Sequence, residues 1–112
     1  MPLVTEEMLQ GAFDYFNEQG AAAAQAKADL VIAEYRRKKA RAKIILQSRE
    51  RTMTLREAEA DCHPDVYEAC QAEAEATKAV EWHRHNRARA DAIVEAWRSE
   101  QANIRGMGRM VP

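Results

Sequence analysis

Proline and glycine are both absent from residues 21–51, AAAAQAKADLVIAEYRRKKARAKIILQSRER. Alanine, lysine, arginine and leucine make up much of this stretch, and all of them favour helix. The sequence therefore predicts one uninterrupted helix of about thirty residues, roughly 45 Å long at 1.5 Å per residue.

The composition of the whole chain agrees with an architecture of long helices. Of its 112 residues, 22 are alanine, whereas Leu, Ile, Val and Phe together number only 18. So little bulk cannot fill a thick globular core, but alanine lets helices pack closely side by side. With four glycines and three prolines, the chain has few residues for the turns of a sheet. We therefore expect an all-α fold in a single helical domain spanning residues 1–112.

A short amphipathic helix is predicted ahead of the long one, within residues 1–19. Thr5 is a suitable N-cap, and the two glutamates that follow it favour the positive end of a helix dipole. Apolar side chains then recur at helical spacing as far as Phe16. Gly20 would end this helix or form a hinge.

A second long helix is predicted over residues 64–105, where a proline occupies the first turn. Gly106 would end it and leave residues 106–112 as a flexible C-terminal tail. Thr54, with a glutamate three positions later, predicts a capping box for a short helix between the two long ones. The long helices, 21–51 and 64–105, would then form an antiparallel hairpin.

The helix predicted over residues 21–51 is apolar on two opposite sides. One side carries Ala24, Ala28, Val31, Ile32, Tyr35, Ala42, Ile45 and Leu46, and the other carries Ala23, Ala26, Leu30, Ala33, Ala40 and Ile44. The other long helix can cover one of these sides. We expect the short N-terminal helix or a second subunit to cover the other, and we favour a homodimer or higher homo-oligomer, built as a bundle or coiled coil.

The net charge of −1 conceals a strong segregation of charge along the chain. Residues 35–51 contain eight bases and one acid, a local charge of +7, whereas residues 52–81 carry −6. Residues 1–34 carry −5, and residues 82–112 carry +3. A basic block of this kind creates a positive potential that the average hides, and nucleic acid is the polyanion that such blocks commonly bind.

The candidate binding site consists of two cationic runs, at residues 36–43 and 82–89. In an antiparallel hairpin that turns near residue 58, the two runs lie across from each other, so they would form one patch in the middle of the hairpin. Further arginines on the second long helix extend this patch towards the tail. The candidate nucleic-acid-binding residues are Arg36, Arg37, Lys38, Lys39, Arg41, Lys43, Trp82, Arg84, Arg87, Arg98 and Arg105.

Alternative roles stay open for several of these residues. The cations could form a solvated face that pairs with acids of the next helix, as runs of charge commonly do. Trp82 and Tyr35 lie in the patch and could stack on bases, but each shares its helix side with aliphatic residues, which favours a core position. Trp97 is a clearer core residue, and His83 and Asn86 are expected to form a polar layer that fixes helix register.

The sequence contains no recognisable catalytic or metal-binding pattern. Cys62, His63 and Cys70 give at most three ligands without the paired spacing of a zinc site, and the cysteines fit small, partly buried thiols. No glycine-rich phosphate loop, nucleophile motif or acid pair appears, so we expect neither an enzyme nor a cofactor. No apolar run is long enough for a membrane span and the N-terminus lacks a signal-peptide pattern, so we expect a cytoplasmic protein.

Residues 79–98, AVEWHRHNRARADAIVEAWR, resemble small all-helical proteins encoded in the recombination and replication modules of tailed bacteriophages. Such proteins include recombination mediators, which bind single-stranded DNA and help to load a recombinase or an annealing protein. The resemblance implies a non-enzymatic DNA-binding accessory factor in the cytoplasm of a bacterial host. A recombinase or a single-strand-binding protein is the protein partner that it implies.

Two functions therefore follow from the sequence. The favoured one is binding of nucleic acid, with single-stranded DNA preferred and RNA still open. The alternative is a structural or adaptor coiled coil in which charges between helices set the choice of partner. The alternative gains support if each cation of residues 36–43 finds an acid within residues 65–81.

Overall fold

The computed structural model describes residues 3–110 of the chain, with side chains for residues 3–108. Within this range the chain forms four helices, α1 (Glu6–Glu18), α2 (Gly20–Gln47), α3 (Met53–Asp61) and α4 (Pro64–Met110). No strand occurs in the same range, and the predicted all-α class is confirmed.

Contacts within the chain divide the described residues into two compact units. The hairpin unit contains residues 24–81, which include most of α2, all of α3 and the first part of α4. The terminal unit contains residues 3–23 and 82–110, which include α1, the first turn of α2 and the remainder of α4.

In the hairpin unit, α2 runs antiparallel to α4. Ile44, near the end of α2, packs against Val66 at the start of α4. Arg37 lies seven residues earlier in α2 and pairs with Glu73, seven residues later in α4. Ala60 of α3 is completely buried beside Ile44 and Val66, so the α3–α4 junction closes this end of the unit.

The contact side of α2 is a row of residues spaced alternately by three and four positions, in which every second residue is alanine. In the hairpin unit its buried or half-buried members are Ala26, Leu30, Ala33, Arg37, Ala40 and Ile44. This spacing keeps one side of a helix against its partner, and alanine lets the two backbones approach closely. Because each alanine buries little area, the few larger side chains supply most of the apolar burial.

The opposite side of α2, which we call the outer face, is exposed. Val31, Tyr35 and Leu46 are 65%, 64% and 83% exposed. The other residues predicted on this side are exposed as well, apart from Ile45, which is half-buried against the cluster around Ile44. The described residues thus cover one of the two apolar sides, and the expected second subunit stays a prediction.

α2 ends at Gln47, four residues earlier than predicted. The backbone N–H of Ser48 donates to the carbonyl of Ile45 at 3.3 Å, which tightens the last turn of the helix. The Ser48 hydroxyl accepts a hydrogen bond from the backbone N–H of Glu50 at 3.2 Å and donates to the carboxylate of Glu59. A hydroxyl that bonds nearby backbone groups competes with helix, so the turn begins at this serine.

The predicted capping box at Thr54 is wrong. The N-cap of α3 is Thr52, whose hydroxyl accepts a hydrogen bond from the backbone N–H of Leu55 at 3.2 Å. Thr52 has the extended backbone conformation that an N-cap requires, whereas Thr54 already lies in the first turn of the helix. The second long helix begins at Pro64, as predicted.

One of the two predicted glycine boundaries is confirmed. α1 ends at Glu18 with Gln19 as its C-cap, and α2 begins at Gly20, so the helix breaks at this glycine. Gly106 lies inside α4, which continues to Met110 because a helical glycine costs only about 1 kcal/mol among good helix formers. No glycine in the described range has the positive φ of a left-handed C-cap. Of the predicted tail, residues 106–110 are helical and the last two residues lie outside the described range.

In the terminal unit, α1 runs antiparallel to the C-terminal part of α4. The backbone N–H of Val4 donates to Glu100 Oε1 at 3.1 Å, and the Tyr15 hydroxyl donates to the carbonyl of His83 at 2.8 Å. Thr5 caps α1 as predicted, since its hydroxyl accepts from the backbone N–H of the residue three positions later. The buried alanines of this unit are Ala12 and Ala90.

The polar layer predicted for His83 and Asn86 does not form among the described residues. Asn86 Nδ2 donates to the carbonyl of Trp82 in its own helix at 2.8 Å, so it does not reach across. His83 Nδ1 is buried without a hydrogen-bond partner among the described residues. The bond that joins the two helices here comes instead from the Tyr15 hydroxyl, which sequence periodicity did not identify.

A pair of substitutions on opposite sides of α2 tests this packing. Ile44→Ala should lower the free energy of unfolding by about 2 to 4 kcal/mol, because it removes one of the few large side chains in the contact. Leu46→Ala, two residues away and 83% exposed, should change it by less than about 0.5 kcal/mol. Denaturant unfolding followed by circular dichroism measures both. Equal losses would show that the outer face is also covered in solution.

Candidate nucleic-acid interface

The rotation of α2 divides its cationic run between two sides of the helix. Arg37 and Arg41 lie at the contact side and are half-buried. The other cations of the run are exposed, and they are Arg36, Lys38, Lys39 and Lys43. Six neighbouring charges in the sequence therefore become two sets with different surroundings.

The two half-buried arginines are held by carboxylates of the hairpin unit. Arg37 Nε donates to Glu73 of α4, and Arg41 Nε donates to Asp61 Oδ1 of α3 at 2.9 Å. The hydrogen bond and the charge of Asp61 raise the pKa of the Arg41 guanidinium above its ordinary value. These pairs join α2 to its neighbours, and both arginines therefore have a structural role.

Arg36 has a partly compensated charge. It lines an open groove of about 460 Å³ together with the carboxylates of Asp29, Asp65 and Glu68. None of these acids forms an ion pair with Arg36 within the described part of the chain, but their negative potential acts on the same space. Arg36 is consequently a weaker phosphate-binding candidate than the three lysines.

Lys38 and Lys39 share the outer face of α2 with Tyr35, and Lys43, rotated by about 80° from Tyr35, lies at the edge of this face. Lys38 and Lys39 follow the tyrosine by three and four positions, which places them beside its ring on a helix surface. Lys43 lies one turn further, about 6 Å along the helix axis from Lys39. No ion pair involves these lysines among residues 3–108, although Glu34 lies four positions before Lys38 and adds negative potential near it.

The second cationic run lies in the terminal unit. Trp82 is 55% exposed, and its ring meets the ring of His83 edge-on at 4.8 Å between centroids. The arginines predicted in this part of the site are all exposed, and they are Arg84, Arg87, Arg98 and Arg105. Arg98 pairs with Glu95 on its own helix at 2.9 Å. Because the two runs belong to different units, the single mid-hairpin patch stays a prediction.

The expected core positions of Tyr35 and Trp82 are wrong. At 100° per residue, Tyr35 is rotated by about 160° from the buried Ala33, and Trp82 by about 80° from the buried Ala90. Shared periodicity with aliphatic residues misled the prediction, because those residues belong to the outer face or to the edge of a contact. The lysines three and four positions after Tyr35 were the signal for its exposure.

Other candidate sites are weak in the described residues. No group of three metal-binding side chains comes together there, and Cys62 and Cys70 are both free and exposed, which corrects their expected partial burial. None of the helices found in residues 3–110 is long and apolar enough to cross a membrane.

Comparison of the chain with protein-family models, with curated proteins and with solved structures gave no match.

Adjacent residues of α2 give a test of the division into two sets. Arg37→Ala should lower the free energy of unfolding by about 1 kcal/mol, because Glu73 loses its partner in a half-buried place. Lys38→Ala should leave stability unchanged within about 0.5 kcal/mol, because its side chain is exposed and unpaired among the described residues. Thermal and denaturant unfolding of both variants measure the difference. Equal stability of the two variants would contradict a structural role for Arg37.

Proposed function

We propose that this protein is a non-enzymatic nucleic-acid-binding accessory protein, and that the outer face of α2 is its main contact surface. One observation carries the proposal: Lys38, Lys39 and Lys43 are exposed together and form no ion pair among the described residues. Ammonium groups spaced along one helix face can neutralise successive phosphates, and the counterions released in this way favour binding.

Single-stranded DNA is the ligand that we favour. α2 is a helix of 28 residues rather than a short recognition helix after a tight turn, so reading a specific duplex sequence is a poor fit. The resemblance of residues 79–98 to phage recombination proteins supports the same ligand. We therefore propose an accessory role in phage-type recombination or replication, in a bacterial cytoplasm, beside a recombinase or a single-strand-binding protein.

A second candidate function is an adaptor that binds another helix on the outer face. Its support comes from the exposed aliphatic side chains of Val31 and Leu46 and from the ion pair of Arg37 with Glu73 across the hairpin unit. Two copies of α2 joined through this face would bring their lysines together, and like charges repel. The adaptor function therefore requires an acidic partner helix, whereas a nucleic acid supplies the negative charge itself.

Charge reversal on the outer face tests the proposed function. Lys38→Glu with Lys39→Glu should weaken the binding of a labelled single-stranded oligonucleotide and flatten its salt dependence. The log-log slope should fall by about 0.7 for each phosphate that the variant no longer neutralises. Fluorescence anisotropy at several salt concentrations measures both quantities.

The matched control reverses two exposed arginines in the turn that follows α2, Arg49→Glu with Arg51→Glu. It makes the same change in net charge, and it should affect binding much less because these residues lie outside the outer face. An equal loss of affinity from both pairs would show only diffuse attraction to polyanions. Undetectable binding of the unaltered protein at low salt would leave the adaptor candidate.

The expected homo-oligomer has its own measurement. Light scattering on a sizing column should give a mass well above the 12.7 kDa of one chain at micromolar concentration, because the described chain buries few large apolar side chains. A mass near 12.7 kDa over the whole concentration range would contradict this expectation. It would leave the nucleic-acid proposal intact, since the lysines belong to one chain.

A further inference from the structure

Tyr35 is an exposed aromatic side chain with lysines beside it. Its ring is 64% exposed in the middle of α2. Its hydroxyl forms no hydrogen bond and its ring no aromatic contact among the residues that the structure describes. Contacts within the described residues therefore do not account for the position of the Tyr35 side chain, whose ring is accessible to a ligand.

Two kinds of side chain surround the ring on the outer face. Val31 and Ile32, four and three positions before Tyr35, are 65% and 46% exposed. Lys38 and Lys39 lie on the following turn. Residues three and four apart are neighbours on a helix, so the ring has an apolar surface towards the N-terminus of α2 and two ammonium groups towards its C-terminus.

We infer that Tyr35 is a stacking platform for an unpaired base, with Lys38 and Lys39 holding the adjoining phosphates. This inference rests on the function proposed above and specifies its ligand as single-stranded nucleic acid with accessible bases. In a duplex the bases already stack on one another, so the tyrosine ring would gain nothing. A second copy of this chain fits less well, because its own lysines would meet these lysines.

Stacking of this kind is tolerant of sequence. Every base has a flat aromatic face, so the ring distinguishes unpaired from paired bases rather than one base from another. Loss of one such platform should weaken binding by about tenfold, which corresponds to about 1.4 kcal/mol. The lysines alone would bind single strand, duplex and a bare sugar-phosphate chain through the same phosphate contacts.

The test compares three variants of the full chain. Tyr35→Leu keeps an apolar side chain and removes the aromatic face, whereas Tyr35→Phe keeps the face and removes the hydroxyl. The matched control is Tyr67→Leu on α4, since Tyr67 is 65% exposed and has no lysine or arginine three or four positions away. Circular dichroism and light scattering of each variant measure whether its fold and mass differ from those of the unaltered protein.

Each variant is titrated with three ligands of equal length, namely a single-stranded oligonucleotide, its duplex and an abasic single strand. We expect Tyr35→Leu to weaken binding to the single strand by about tenfold and to leave the abasic strand and the duplex unchanged. Tyr35→Phe and Tyr67→Leu should behave like the unaltered protein. The abasic strand separates base stacking from charge, because it keeps the phosphates and lacks the bases.

Failure of this inference and failure of the proposed function give different results. If the unaltered protein binds no ligand at low salt, both are overturned. If it binds and Tyr35→Leu has no effect, or weakens all three ligands equally, only the stacking platform is overturned. A fall in mass for Tyr35→Leu without a selective loss on the single strand would assign the ring to a contact between proteins and would also overturn it.

Discussion

Close contact between alanine-rich helix sides is the constraint on which the hairpin unit depends. Alanine brings two backbones near each other, but its single methyl group removes little apolar surface from water, at about 25 cal/mol per Å². Among the described residues no large side chain is fully buried. Ile44, Val66 and Val80 are the larger buried residues of this unit and contribute much of its apolar burial. The hydrophobic stabilisation of the unit is therefore modest, and polar contacts have more influence on its geometry.

The same contact decides what each cation of α2 does. The alternating spacing of three and four places Arg37 in the contact side, where its guanidinium reaches Glu73. This ion pair forms only when α2 and α4 are in one register. It can therefore specify the register of the two helices, which contacts between alanines alone would not fix. Lys38 and Lys39 are rotated away by the helix itself. A block of charge in the sequence thus becomes a structural pair beside an open cationic surface.

Sequence patterns predicted those features that depend on nearby residues. The cap at Thr5 and the helix start at Pro64 act on their own backbone, so local chemistry identifies them. The end of α2 was missed because residues 48–51 contain no proline or glycine, and the hydroxyl of Ser48, which bonds both the Glu50 backbone and the Glu59 carboxylate, begins the turn instead. The cationic block was recognisable, but the separate role of Arg37 required the helix register. Tyr35 was misplaced because periodicity identifies two apolar sides without showing which one is covered.

The outer face of α2 combines exposed apolar side chains with lysine charges. Single exposed apolar residues are common, but Val31, Tyr35 and Leu46 share one helix face with several lysines. Lysine stems can cover part of this apolar surface, and lysine charges keep identical faces apart. Like charges oppose the pairing of two outer faces, so the expected oligomer would have to form through other surfaces, and the face is open to a ligand that is anionic and also has a flat apolar part. An unpaired nucleotide has both parts within one residue, a phosphate and a base, so it matches this face better than a duplex, which presents mainly its phosphates.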